Sequence, residues 1–149
     1  MIDHLTVSVA DLGASKDFYT RVLAPLGYVP MMDFEQFSGF GDGKPYFWLK
    51  QATPATTPQH IAFAARSRPM VDAFFQAALA AGATENGAPG VRTDYHPHYY
   101  AAFVIDPLNG HPLEAVCHAP PAAAKKAAKK PARAKRAAKP KKKASRSRR

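Results

Sequence analysis

Two histidines stand at matching places in two similar runs of this chain. His4 lies in "DHLTVSV" and His60, 56 residues later, in "QHIAFAA". A denser patch, "YHPHYY", sets His96 and His98 among Tyr95, Tyr99 and Tyr100. A histidine there suits a general base and a tyrosine suits oxyanion stabilisation, with His96 and Tyr100 as the candidates. A His-x-His pair also suits a metal, and an aromatic loop packed against the rim of a cavity would use the same side chains. Glu114 follows in "PLEAV", and His118 stands two residues beyond Val116 as a strand-end residue or a support for the site. Alone, each of these is more often a structural or solvated side chain than a ligand. The elements that carry them therefore decide.

His4 and His60 both belong to strand-like alternations. Leu5, Val7 and Val9 read as a core face, with His4, Thr6 and Ser8 opposite. The 56-residue offset recurs between Phe18 and Phe74 and between Leu23 and Leu79, so the chain reads as two copies of one structural unit. In the first copy, Ser15 is the expected cap of a helix bearing Phe18, Tyr19, Val22 and Leu23, closed by Pro25 and Gly27. In the second, Ser67 and Pro69 open a helix bearing Val71, Phe74, Phe75, Ala78 and Leu79, and Gly82 ends it. Strand-like runs follow each helix. They are "YVPMMDF", "FSGFGDG" and "PYFWLKQ" in the first copy, then a weak run around "GVRTDY", "YYAAFVI" and "PLEAVCH" in the second. "DPLNGH" is a turn through Pro107 and Asn109-Gly110, and "QATPATTPQ" links the copies. "GFGDG" lacks the strand-to-helix context of a phosphate loop. Both copies read β-α-β-β-β, an α+β domain over residues 1–118 with units of about 1–52 and 58–118.

This pattern, with its paired histidine strands and its "DPLNGHPLEAV" ending, resembles the vicinal oxygen chelate superfamily. That superfamily includes glyoxalase I, bleomycin-resistance proteins, fosfomycin-resistance transferases and extradiol dioxygenases. The resemblance runs from Met1 to about His118. It implies two tandem βαβββ units whose cupped mixed sheets enclose a site, with the helices outside. It implies that His4 and Thr6, and His60, Ala62 and Ala64 in the second copy, face the cavity, the small residues leaving room for a ligand. It also implies a metal held by His4, His60 and Glu114. Two imidazoles and one carboxylate suit Fe(II), Mn(II), Ni(II), Co(II) or Zn(II), and three protein ligands leave positions open for substrate or water. Glyoxalase I adds a carboxylate on the last strand of its first unit. Trp48 stands there in this chain, which points to the three-ligand members instead. Fosfomycin-resistance transferases carry a basic residue after the histidine of the "GH-x-LE" stretch, where this chain has Pro112, and few bases remain to hold a phosphonate.

The substrate pocket is expected from Thr6, Trp48, Tyr95 and His98, with Phe34, Phe37, Phe40 and Tyr46 divided between pocket wall and core. The implied activity is lyase, transferase or dioxygenase chemistry on a small oxygen-chelating substrate, with Glu114 as the base. The alternatives are a metal-free small-molecule-binding protein of the bleomycin-resistance type and a nucleic-acid-associated protein. Superfamily members of this length form homodimers, and the halves of one site then come from different chains. That would set His4 opposite His60 and Glu114 of the partner subunit.

Charge divides the chain at one point. Nine Lys and five Arg lie between Ala119 and Arg149, with no Asp or Glu, leaving seven bases against 11 acids in residues 1–118, a net charge of −4 there. Lys125, Lys126, Lys129, Lys130, Arg133, Lys141, Lys142 and Lys143 are the expected phosphate contacts of a disordered tail resembling those of linker histones. Such a tail suits nucleic-acid binding without sequence specificity, and its composition suits equally a solvated extension with no essential partner. Cys117 is the only cysteine, which excludes an intrachain disulfide and a cysteine-based zinc motif. No signal-peptide pattern and no membrane-spanning apolar run are evident, so the expected location is cytoplasmic, with nucleoid association through the tail.

Overall fold

A computed structural model describes residues 2–121. The expected phosphate contacts of the tail lie outside the described residues.

The first unit runs β1 (Leu5–Val9), α1 (Leu12–Leu23), a 3-10 turn (Ala24–Leu26), β2 (Val29–Phe34), β3 (Phe37–Gly41) and β4 (Pro45–Gln51). The second runs β5 (Ile61–Ala64), α2 (Arg68–Ala80), β6 (Thr84–Val91), β7 (Tyr100–Ile105) and β8 (Pro112–Cys117). Each forms a four-stranded mixed sheet, ordered β1-β4-β3-β2 and β5-β8-β7-β6. The first strand of each unit pairs parallel with the last, and the remaining pairs are antiparallel. The tandem βαβββ reading therefore holds.

Both helices form because their apolar residues recur at helical spacing and cover one face. Phe18, Tyr19, Val22 and Leu23 of α1 are buried, as are Val71, Phe74, Phe75 and Ala78 of α2. They pack against each other and against the same side of the two sheets, in one core that includes Val7, Val9, Phe47, Leu49, Phe63 and Leu113. Phe47 and Phe63 meet edge to face across the two units at 5.3 Å. Each such ring contributes about 1.5–3 kcal/mol by leaving water. Because the helix sides of both sheets join this core, the opposite sides carry the two cups outward.

Three local expectations are corrected. The cap of α1 is Asp11, whose carboxylate accepts from the Ala14 amide at 2.9 Å. Ser15 is instead buried inside the helix and meets the Asn109 side chain at 3.2 Å. The strand expected around "GVRTDY" lies earlier, as β6, with Arg92–Tyr99 forming a loop. β6 is an edge strand containing Gly87 and Gly90, with two register shifts, so its apolar alternation is weak. Leu5 is 42% exposed at the head of β1, while Val7 and Val9 are buried as expected.

The "DPLNGH" turn fastens one unit to the other. Asp106 is 1% exposed and accepts from the Leu108 and Asn109 amides, the Asn109 side chain and the Tyr19 hydroxyl of α1. Gly110 completes the turn at φ +73°, where a side chain is disfavoured. This tether holds the entry to β8, and with it Glu114.

Candidate functional site

Strand register explains which side chains reach the cups. In the first sheet Thr6 pairs with Trp48, and Trp48 with Gly39, so these positions share the face away from the helices. With His4, Phe34 and Phe37 they line an open cavity of about 490 Å³. In the second sheet Ala62 pairs with Glu114, and Glu114 with Phe103. There His60, Asp94, Tyr95, His96, Tyr99, Phe103 and Glu114 line a cavity of about 540 Å³. The two cavities share no lining residue. Trp48, opposite Thr6, thus occupies in the first sheet the place Glu114 holds opposite Ala62 in the second.

Glu114 is the centre of the second cup. It is 3% exposed, and both its oxygens are engaged. The Tyr99 hydroxyl donates to Oε1 at 2.6 Å, and His60 Nε2 lies 3.0 Å from Oε2. Burial and this bond to the carboxylate push the Tyr99 hydroxyl up to about 12, so it stays a donor through the physiological range. His60 remains half-exposed at the mouth, its ring tilted toward Phe103 at 6.4 Å.

His4 does not join them. It lines the first-sheet cavity, with its Nδ1 3.0 Å from Asp3 Oδ1. It also lines a third cavity of about 460 Å³. Ala62 and Ala64 lie in that third cavity and are absent from the His60 cavity they were expected to line. Among the described residues no three His, Cys, Asp or Glu side chains converge on one metal position. The donor set of two imidazoles and a carboxylate suits a divalent ion, and two of the three donors already meet.

Other expected site residues divide. Thr6 and Trp48 line the first cup and Tyr95 the second. Tyr100 does not enter a cup. Its hydroxyl donates to Asp72 of α2 at 2.7 Å and Arg68 lies over its ring, because residue 100 shares the core-facing parity of Ala102 and Val104. The tyrosine at the carboxylate is Tyr99. His98 lies outside both linings; its amide donates to His96 Nδ1 at 3.0 Å. His96 lines the second cup, but its Nε2 is turned to His118 Nδ1 at 2.7 Å, with the rings stacked. The pair ties the Arg92–Tyr99 loop to the end of β8.

A further histidine is buried and stands outside both cups. His111 is fully buried; its Nδ1 accepts from the Gln59 amide at 2.9 Å, while its Nε2 has no partner among the described residues. Burial lowers its proton affinity, so it is held neutral. It braces the strand end next to His60.

No family model matches the chain, and no curated protein matches it. Solved structures do. A glyoxalase/bleomycin resistance protein from Albidiferax ferrireducens is 30% identical, with 77% of this chain and 96% of that one covered at a TM-score of 0.65. The chain belongs to the glyoxalase/bleomycin resistance protein family. A glyoxalase/bleomycin resistance protein/dioxygenase family enzyme from Burkholderia phytofirmans shares the fold at 20% identity, covering 79% of this chain and 98% of that one at a TM-score of 0.63. So does a fosfomycin resistance protein from Listeria monocytogenes, at 17% identity, 78% and 90% coverage and a TM-score of 0.60. These last two likenesses are of fold, and one fold of this kind carries several chemistries. Among the described residues of this family member, no helix is long and apolar enough to cross a membrane.

Proposed function

We propose that the chain is a divalent-metal-dependent enzyme acting on a small substrate with neighbouring oxygens. It works as a homodimer in which each site joins the second cup of one protomer to the first cup of the other. The observation that carries this reading is the division of the donors: His60 and Glu114 lie 3.0 Å apart in one cup, and His4 stands in another. Exposed apolar side chains at both mouths, Phe34 at 58% and Tyr95 at 66%, favour an apposed second copy.

His4, His60 and Glu114 would hold the metal, which supplies Lewis-acid polarisation of substrate oxygens. The chain's own groups do the rest. Tyr99 holds Oε1 of Glu114 and fixes the carboxylate's orientation, leaving Oε2 as the oxygen to bind or take a proton. Phe103 and the aromatic wall of the first cup exclude water from the closed site.

The test is elemental analysis of the reconstituted protein and of His4→Ala and Glu114→Ala. Near-stoichiometric metal in the parent and loss in both variants is expected. A purified heterodimer of the two variants should regain one of its two sites, because one interface then pairs two intact halves. A metal-free parent after reconstitution leaves the small-molecule-binding reading, and a monomeric mass by light scattering removes the shared site. The 14 bases of residues 119–149 support a separate association with nucleic acid. Salt-sensitive DNA retention of the full chain, absent from a chain ending at His118, is the expected result.

A further inference from the structure

Pairing across the first sheet places Thr6, Trp48, Gly39 and Met32 in one row. Residue 39 has no side chain, and the indole of Trp48 fills its place. A Cβ on Gly39 would stand 2.8 Å from indole Cζ3 and 2.9 Å from Cε3 and Cη2. Near-equal distances to three neighbouring ring atoms mean that residue 39 lies under the face of the ring, not at its edge. The indole therefore lies down along the sheet instead of standing out from it, as strand side chains normally do. Beside it the Phe34 ring runs nearly parallel, 14° apart in plane at 6.2 Å between centroids.

We propose that Trp48 and Phe34 form a shelf for a flat aromatic ring of the ligand, and that Gly39 is the specificity-determining residue that keeps the shelf horizontal. The inference rests on the first cup being half of the site proposed above. A ring face offered to a cavity attracts an aromatic partner in offset stacking, beyond what area alone gives, and a saturated ring of the same outline lacks that complementarity. Gly39 carries no positive φ, so the backbone does not demand glycine there; the room under the indole does.

The test compares two probes without a chelating oxygen pair, 2-naphthol and its saturated counterpart trans-2-decalol, by titration calorimetry on the full chain freed of metal with EDTA. The parent should bind 2-naphthol at least tenfold tighter, and Trp48→Phe should retain most of that preference. Trp48→Leu should reduce it below twofold. Gly39→Val should do the same, since its side chain lifts the indole, with circular dichroism checking that each variant is folded. Equal binding of the two probes by the parent, or an undiminished preference in folded Trp48→Leu, overturns the shelf. Dissociation of the dimer in Trp48→Leu, with no probe binding in the parent, also overturns it by assigning the rings to the interface between copies. Because neither probe needs a metal, a retained preference in a protein that never binds metal upholds the shelf while the metal reading fails.

Discussion

The two cups are built on one plan and finished differently. In the first sheet the aromatic ring stands on the last strand, Trp48, and lies over a glycine on β3. In the second sheet the aromatic ring sits one strand further out: Phe103 on β7 faces Gly87 of β6, where a Cβ would come within 3.0 Å of its ring. That shift frees the last-strand position for Glu114, with Tyr99 and His60 around it. One cup became an apolar receptacle and the other a polar one. A shared scaffold thus makes one apolar and one polar cup by exchanging side chains within a cross-strand row.

Four measurements would break or sharpen that contrast. The largest effect tests what the halves share. Phe18→Ala and Phe74→Ala should each lower unfolding stability by about 3–5 kcal/mol in urea, since both rings are fully buried at equivalent places. A cost confined to one would deny the repeat a common core. Next, Tyr99→Phe should weaken metal binding by about 10–100-fold in a chelator competition, while Phe34→Leu, in the other cup, leaves it within twofold. Equal losses would end the division of labour. The helix starts offer a smaller contrast. Asp11→Ala should cost about 1 kcal/mol, whereas Ser67→Ala costs much less, because Ser67 makes no side-chain cap bond. The smallest effect is one of pH. His111 has its folded-state proton affinity lowered, so the stability it contributes is complete above its unfolded value, about 6.5, and is lost as pH falls through the folded value. Thermal unfolding should show this acid slope in the parent and a shallower one in His111→Gln; the first unit has Pro45 at the matching position and no such group.

Much of the architecture was legible because repetition and burial are local signals. Phe18 and Phe74 are alike in sequence because both fill the same core place. Tyr99 was recoverable too. Counting alternation back from Phe103 and Ala101 puts residue 99 on the cup side and residue 100 toward α2, a distinction the dense aromatics of "YHPHYY" obscure. Ser15 looked like a cap because serine favours that place, but Asp11 came first and Ser15 was needed against Asn109. The separation of His4 from Glu114 has no local signal and enters the sequence reading only through the family resemblance. It follows from how the units meet, through Phe47 on Phe63 and Tyr19 on Asp106, contacts between residues remote in the chain.

The Tyr19–Asp106 bond also sets a timetable for synthesis. The hydroxyl of Tyr19 waits for a carboxylate made 87 residues later. At about 5–20 residues per second, the interval between finishing Gln51 and reaching Asp106 lasts roughly 3–11 s. Over that interval the first unit exists with the Tyr19 hydroxyl unpaired, while the Tyr19 ring already has Phe18 and Phe47 of the same unit to pack on.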